Sequence, residues 1–231
     1  MCFAGTGPTG EAVYTLNKDD GGSRRFILVQ LPEPTERKDY ATIADITKER
    51  LRRAGKKIRE ENPLFAGDLG FRVFKLASSN IRAWEPDREN LAETLEASIE
   101  HLKTDRTEQD ILYELLLKRG IDLCVPIDCR FMIDDCGLEA GNNQQSKISN
   151  QQCRHQCHSI SGGSLLVCLS SAIPQTDVEP LALGLVAWHK ALKPAGETTV
   201  VFRDSAFADD VAKTNLTAIL HQHGLETVRS L

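Results

Sequence analysis

Phe3-Ala4-Gly5-Thr6-Gly7-Pro8-Thr9-Gly10 opens this chain and constrains its fold more than any other segment. A glycine turn of this kind normally follows an apolar strand and opens a helix. Its glycines adopt backbone conformations closed to other residues and let a ligand approach the main chain. Glu11–Asn17 reads as the helix that follows, while only Met1 and Cys2 precede the turn, too little for the strand. The expectation is therefore a chain that starts inside a nucleotide- or cofactor-binding α/β unit, as the C-terminal piece of something larger.

Arg25–Leu31 (RFILVQL) is a short continuous apolar run introduced by Asp20-Gly21-Gly22. That is the pattern of a strand buried on both faces of a parallel sheet. Together with the turn and helix it makes half of a Rossmann-like unit. Residues 41–60 read as a helix with Ile43, Ile46, Leu51, Ala54 and Ile58 near one face, and Gly70–Leu76 alternates like a strand with one wet face. Two further helices are expected, an acidic one carrying Leu91, Leu95, Ile99 and Leu102, and a second over Glu108–Arg119 stopped by Gly120.

Beyond that point the pattern is a second α/β module. Strands are expected at Ile121–Ile127, Leu165–Leu169, Thr198–Phe202 and Leu225–Val228, with helices at Val178–Leu192 and Ala206–His223, the last capped by Asp204 or Ser205. The expected organisation is residues 1–84 as the C-terminal part of a cofactor domain, 85–120 as a helical connector and 121–231 as an α/β C-terminal module. A polar, Cys-rich insertion would occupy about 129–161.

Composition excludes little. The net charge of −5 does not advertise nucleic-acid binding, but it averages two opposed regions. Residues 42–62 hold seven Lys/Arg against four Asp/Glu, and residues 85–110 hold three against nine. Seven cysteines without a secretory signal suggest a reducing, cytoplasmic setting, and no apolar run is long enough for a bilayer.

The opening motif taken with Arg24–Glu33 (RRFILVQLPE) resembles the modification subunit of type III restriction–modification systems, adenine-specific DNA methyltransferases that use S-adenosylmethionine. The likeness continues through Thr42–Ile46 with Glu49-Arg50, Gly70–Leu76, Leu115–Leu117 and Leu123–Ile127. It is closest at Phe202–Asp210 with Lys213–Leu216, and it lapses only at about 129–161. The resemblance implies an α/β fold, an incomplete Rossmann-like methyltransferase portion followed by a small α/β module. It further implies S-adenosylmethionine as cofactor, with Phe3, Gly5, Thr6, Gly7 and Gln30 as its contacts. DNA, the restriction subunit and a second copy of the intact enzyme would be the partners, and no membrane is involved. Gln30 stands where related sites often place a carboxylate for the ribose hydroxyls, with Glu33 close by. The family's acidic residue two positions before Phe3 is replaced by Met1.

The family's Asp-Pro-Pro-Tyr-type motif is not among these residues, since none of the nine prolines adjoins another. Its oxygens would hold the flipped adenine's amino group and its aromatic ring would stack on the base. No catalytic residue is therefore assigned, and the chain alone is expected to be inactive. Two alternatives stand beside this expectation, a non-catalytic remnant serving dimerisation or subunit interaction, and an unrelated cofactor-binding protein sharing only the turn.

Other constellations have bland explanations. The basic helix Lys48–Arg59 could track DNA phosphates or be a solvated face diluted by Glu49, Glu60 and Glu61. Cys129, Cys136, Cys153, His155, Cys157 and His158 offer zinc-type donors without finger spacing, and a flexible insertion is the favoured reading, so no metal is assigned. Arg203, Asp204, Asp209, Asp210 and Lys213 suggest a nuclease-like acidic site, yet capping and local ion pairs explain them equally. His221 and His223 suit a helix C-terminus.

Overall fold

The computed structural model describes residues 2–133 and 153–231. The chain divides into two compact units, Met1–Lys75 and Leu76–Leu231. Together they are a mixed α/β structure containing one five-stranded sheet.

In the first unit β1 (Cys2–Phe3) leads into α1 (Pro8–Asp20), followed by β2 (Leu28–Val29) and α2 (Ile43–Glu61). β1 and β2 pair in parallel, Cys2 opposite Leu28 and Phe3 opposite Val29. The strand expected to be missing before the glycine turn is thus represented by two residues. β2 is also shorter than expected, although its side chains keep alternating, with Phe26 and Leu28 facing inward and Ile27, Val29 and Leu31 facing outward. Gly70–Leu76 forms no strand.

α2 begins where a capping box allows it. The Thr42 hydroxyl accepts from the Asp45 N–H, while the Asp45 carboxylate accepts from the Thr42 N–H. Its buried face, Leu51, Ala54 and Ile58, packs with Tyr14 of α1 and with Leu69. Tyr14 meets Phe26 edge-on at 5.4 Å and donates its hydroxyl proton to the Gly70 carbonyl at 3.2 Å. Burial, helped by nearby Asp68, pushes its phenol up to about 12. Glu11–Arg50 and Lys18–Glu61 ion pairs, at 3.1 and 2.6 Å, also join the two helices.

In the second unit α3 (Leu91–Ile99) and α4 (Glu108–Lys118) precede β3 (Ile127–Ile133), β4 (Cys153–Ile160) and β5 (Leu165–Cys168). α5 (Val178–Leu192), β6 (Thr199–Phe202), α6 (Asp210–Gln222) and β7 (Thr227–Ser230) complete it. The sheet order is β3-β4-β5-β6-β7, with β5, β6 and β7 parallel and β3 and β4 antiparallel. The two-residue period of the strands sorts their side chains onto two cores. Leu166, Cys168, Val200 and Phe202 meet Leu181, Leu185 and Trp188 of α5 and Leu216 and Leu220 of α6. Leu165, Val167, Leu169 and Val201 meet Ile111, Leu112, Leu115 and Leu116 of α4. Each fully buried leucine among these contributes about 1.5–3 kcal/mol by leaving water.

Further expectations need correction, since Leu102 lies beyond the end of α3 and the last strand runs Thr227–Ser230 and does not start at Leu225. Residues 121–126 are loop, and the strand begins at Ile127. The stretch expected as a flexible insertion supplies two strands of the main sheet, since Ile127–Ile133 pairs with Cys153–Ile160. The residues between, including Cys136, lie outside the described residues. α6 starts later than expected because Asp209, not Asp204 or Ser205, caps it by accepting from the Ala212 N–H at 2.7 Å. Gly120 does end α4 as expected. At φ 67° it brings its own N–H to the Leu117 carbonyl and that of Ile121 to the Leu116 carbonyl.

Candidate functional site

The glycine turn lies at the carboxyl end of β1, beside the carboxyl end of β2. In open α/β sheets that end is where ligands are taken. The Ala4 N–H donates to the Val29 carbonyl at 2.9 Å, which holds the turn against β2. The chain then reverses, with the Gly7 N–H donating to the Ala4 carbonyl at 2.7 Å. Gly5 and Gly7 have φ of 50° and 90°, conformations that favour glycine. Gly7 is the N-cap of α1, with Pro8 at the first helical position, where its lack of an N–H costs nothing. No side chain caps this helix, so its N-terminal N–H groups and positive dipole end are available to an acceptor. The Thr47 hydroxyl of α2 donates to the Gly5 carbonyl at 2.7 Å and anchors the turn from behind.

Gly10 closes the opening motif but was given no role of its own among the expected site residues. A Cβ there would come within 2.6 Å of a Leu51 methyl and 3.1 Å of a Leu28 methyl. Any larger residue would force the Leu51 and Leu28 side chains to shift, so glycine eases the close approach of α1 to α2 and β2. The spacing Gly5-x-Gly7-x-x-Gly10 was the available signal, since the third glycine of such motifs serves close helix–strand packing.

Of the candidate contacts, Phe3 ends β1, and Gly5, Thr6 and Gly7 form the turn that follows Ala4. Gln30 follows the adjacent strand, so the fold brings all five to one end of the β1–β2 pair. The Phe3 ring is 86 % exposed. Gln30 is half-buried and its amide donates to the Leu31 carbonyl at 3.3 Å.

The other constellations are largely occupied by internal partners. Along α2, Lys48 pairs with Asp45, Arg52 and Arg53 with Glu49, Lys56 with Glu60 and Lys57 with Glu61. Exposed pairs like these contribute little stability. They also neutralise much of the field a DNA-tracking helix would offer. Arg203 bonds Glu100 and Ser205, Asp204 pairs with Lys213, and Asp209 is committed to its cap. The Lys213 bond holds the Asp204 carboxyl below the usual carboxylate range. His221 occupies the last turn of α6 and His223 its C-cap.

Among the described residues no three His, Cys, Asp or Glu side chains gather to hold a metal ion. Cys129 accepts from the Gln156 amide at 3.0 Å. Cys157 faces Cys168 across β4 and β5, and the hydrogen bond between these thiols together with burial pushes Cys157 up. Burial pushes the imidazole of His158 down. His155 is buried between Ser170 Oγ, 3.1 Å from its Nδ1, and Asp177 Oδ2, 3.0 Å from its Nε2. This last trio ties the start of β4 to the segment joining β5 to α5.

No family model and no solved structure matches this chain. Three curated proteins do. The StyLTI Mod subunit of the type III restriction-modification enzyme of Salmonella typhimurium strain LT2 is 40 % identical over 82 residues, 33 % of this chain and 13 % of that protein. The EcoP15I Mod subunit of Escherichia coli is 46 % identical over 80 residues, 32 % and 11 % of the two chains. The EcoPI Mod subunit of Escherichia phage P1 is 38 % identical over 77 residues, 31 % and 12 %. The matched stretches are about an eighth of the length of these relatives. Over about a third of its length, this chain is homologous to the Mod subunits of type III restriction–modification enzymes.

Proposed function

We propose that the chain is part of a site-specific DNA adenine-N6 methyltransferase of a type III restriction–modification system. The observation that carries this reading is the glycine turn at the carboxyl ends of two parallel strands, in a chain homologous to Mod subunits. The residues at that turn fit S-adenosylmethionine. Gly5 and Gly7 bare the main chain, the α1 N-terminus offers N–H donors, Phe3 presents an uncovered ring and Gln30 a polar side chain beside it. Phe3, Gly5, Thr6, Gly7 and Gln30 would hold the cofactor, which supplies the methyl group. The base would be gripped by the Asp-Pro-Pro-Tyr-type motif that these 231 residues do not contain. The chain alone therefore transfers nothing. The α/β C-terminal module, residues 121–231, would serve dimerisation or contact with the restriction subunit.

A chimera in which this chain replaces the matched stretch of the EcoP15I Mod subunit tests the reading. It should incorporate labelled methyl groups into DNA adenine, while the chain alone should not. Phe3→Ala should lower incorporation by about tenfold or more without loss of fold, because the ring has no packing to lose. A folded chimera that transfers no methyl group overturns the reading, as does turnover by the chain alone.

A further inference from the structure

Cys157 of β4 and Cys168 of β5 are directly opposed in the antiparallel ladder, and both are fully buried in the core under α5. Opposed residues in such a ladder lie about 4.5–5.5 Å apart at Cα, inside the span of about 4.4–6.8 Å that a disulfide bridges. His155 precedes Cys157 by two residues and Ser170 follows Cys168 by two, so the ladder brings these side chains together as well.

Hydrogen bonds join the four groups to Asp177 in one directed chain. The Asp177 carboxylate can only accept, which assigns a proton to His155 Nε2, 3.0 Å away. Neutral imidazole then accepts at Nδ1 from the Ser170 hydroxyl at 3.1 Å. Ser170 Oγ in turn accepts from the Cys168 thiol, 3.5 Å away, and the Cys157 thiol donates to Cys168. Against burial, the bonds from Cys157 and Ser170 hold the Cys168 thiol below its usual range.

From this arrangement we infer that Cys157 and Cys168 form a redox-active dithiol, oxidised by small hydroperoxides to a disulfide across β4 and β5, with Cys168 as the attacking sulfur. Complete burial limits the oxidant to one near the size of water, such as hydrogen peroxide, and excludes a bulky disulfide such as oxidised glutathione. The Cys168 proton passes to Ser170 as the Ser170 proton passes to His155 Nδ1, and Asp177 holds the imidazolium. The Cys168 thiolate attacks one peroxide oxygen and the O–O bond breaks. The departing hydroxide takes up the relayed proton and leaves as water, and Cys168 becomes a sulfenic acid. The Cys157 thiol then attacks that sulfur, so the S–S bond forms and the S–O bond breaks. Hydroxide leaves with the Cys157 proton as a second water. The two thiols lose two electrons, and one peroxide is reduced to two waters.

The test treats the full 231-residue chain with hydrogen peroxide, alkylates the remaining thiols after denaturation and maps the peptides by mass spectrometry. The Cys157 and Cys168 peptides should be joined by a disulfide that a dithiol reductant releases, whereas oxidised glutathione should leave both thiols free. In Cys157→Ala, dimedone should trap a sulfenic acid at Cys168. Ser170→Ala should slow formation of the disulfide by about tenfold or more, and Ser170→Thr, which keeps the hydroxyl, should restore it. Alkylation of both Cys157 and Cys168 while the exposed Cys124 and Cys129 are oxidised overturns the dithiol, as does joining of either to another cysteine. Oxidation of the pair by glutathione overturns the limit on oxidant size. A Cys157→Ala chain with no adduct at Cys168 overturns its place as the attacking sulfur, and equal rates for Ser170→Ala and the parent overturn the relay.

Discussion

Leu185→Ala should cost about 3–5 kcal/mol, a large loss for a single truncation in the core of the Leu76–Leu231 unit. Leu185 is fully buried in the middle of α5, in the core shared with Leu166, Cys168, Val200 and Phe202 of the sheet and Leu216 of α6. Removing its isobutyl group takes away the transfer free energy and leaves a cavity that rigid strands on one side cannot fill. Domains of this kind are stable by only about 5–15 kcal/mol, so the variant should unfold at much lower urea. Urea titration followed by circular dichroism measures the shift. A midpoint unchanged from the parent would mean that α5 does not pack on the sheet as described.

Asp177→Ala should cost about 3 kcal/mol through a different mechanism. Its carboxylate is buried, accepting from the Thr176 hydroxyl at 3.0 Å and lying 3.0 Å from His155 Nε2. Alanine leaves the imidazole of His155 buried with one nitrogen deprived of its partner, and an unmet buried polar group costs its full desolvation. Asp177→Asn keeps a polar group within reach and should lose less than half as much. The same urea titration reads both variants. Equal stability of the alanine variant and the parent would remove the trio as a tie between β4, the end of β5 and the start of α5.

Helix ends can be legible because their signals are local. That holds for Gly120, which acts within one turn of the residues it caps, whereas the Thr42–Asp45 and Thr107–Asp110 capping boxes were not singled out and the cap of α6 was expected at Asp204 or Ser205 instead of Asp209. Phe3, Thr6 and Gln30 were named through the family resemblance, whereas the glycine turn, like Gly120, was legible as a local signal. The β3–β4 hairpin was not. Cys153-Arg154-His155-Gln156-Cys157-His158 looks polar, and its burial depends on partners distant in sequence, Ser170 and Asp177 for His155 and Cys168 for Cys157. Strand formation is set by such non-local contacts more than by intrinsic preference. The Arg25–Leu31 run misled in the opposite sense, because its residues declare two buried faces and this chain covers one.

The cofactor seat at the end of β1 is the claim on which the functional account rests, and ultraviolet crosslinking of labelled S-adenosylmethionine to the methylating chimera tests it most directly. Peptide mapping should place the label between Phe3 and Gly10, and Phe3→Ala should abolish the adduct. Label found wholly in another segment of a methylating chimera would contradict the account.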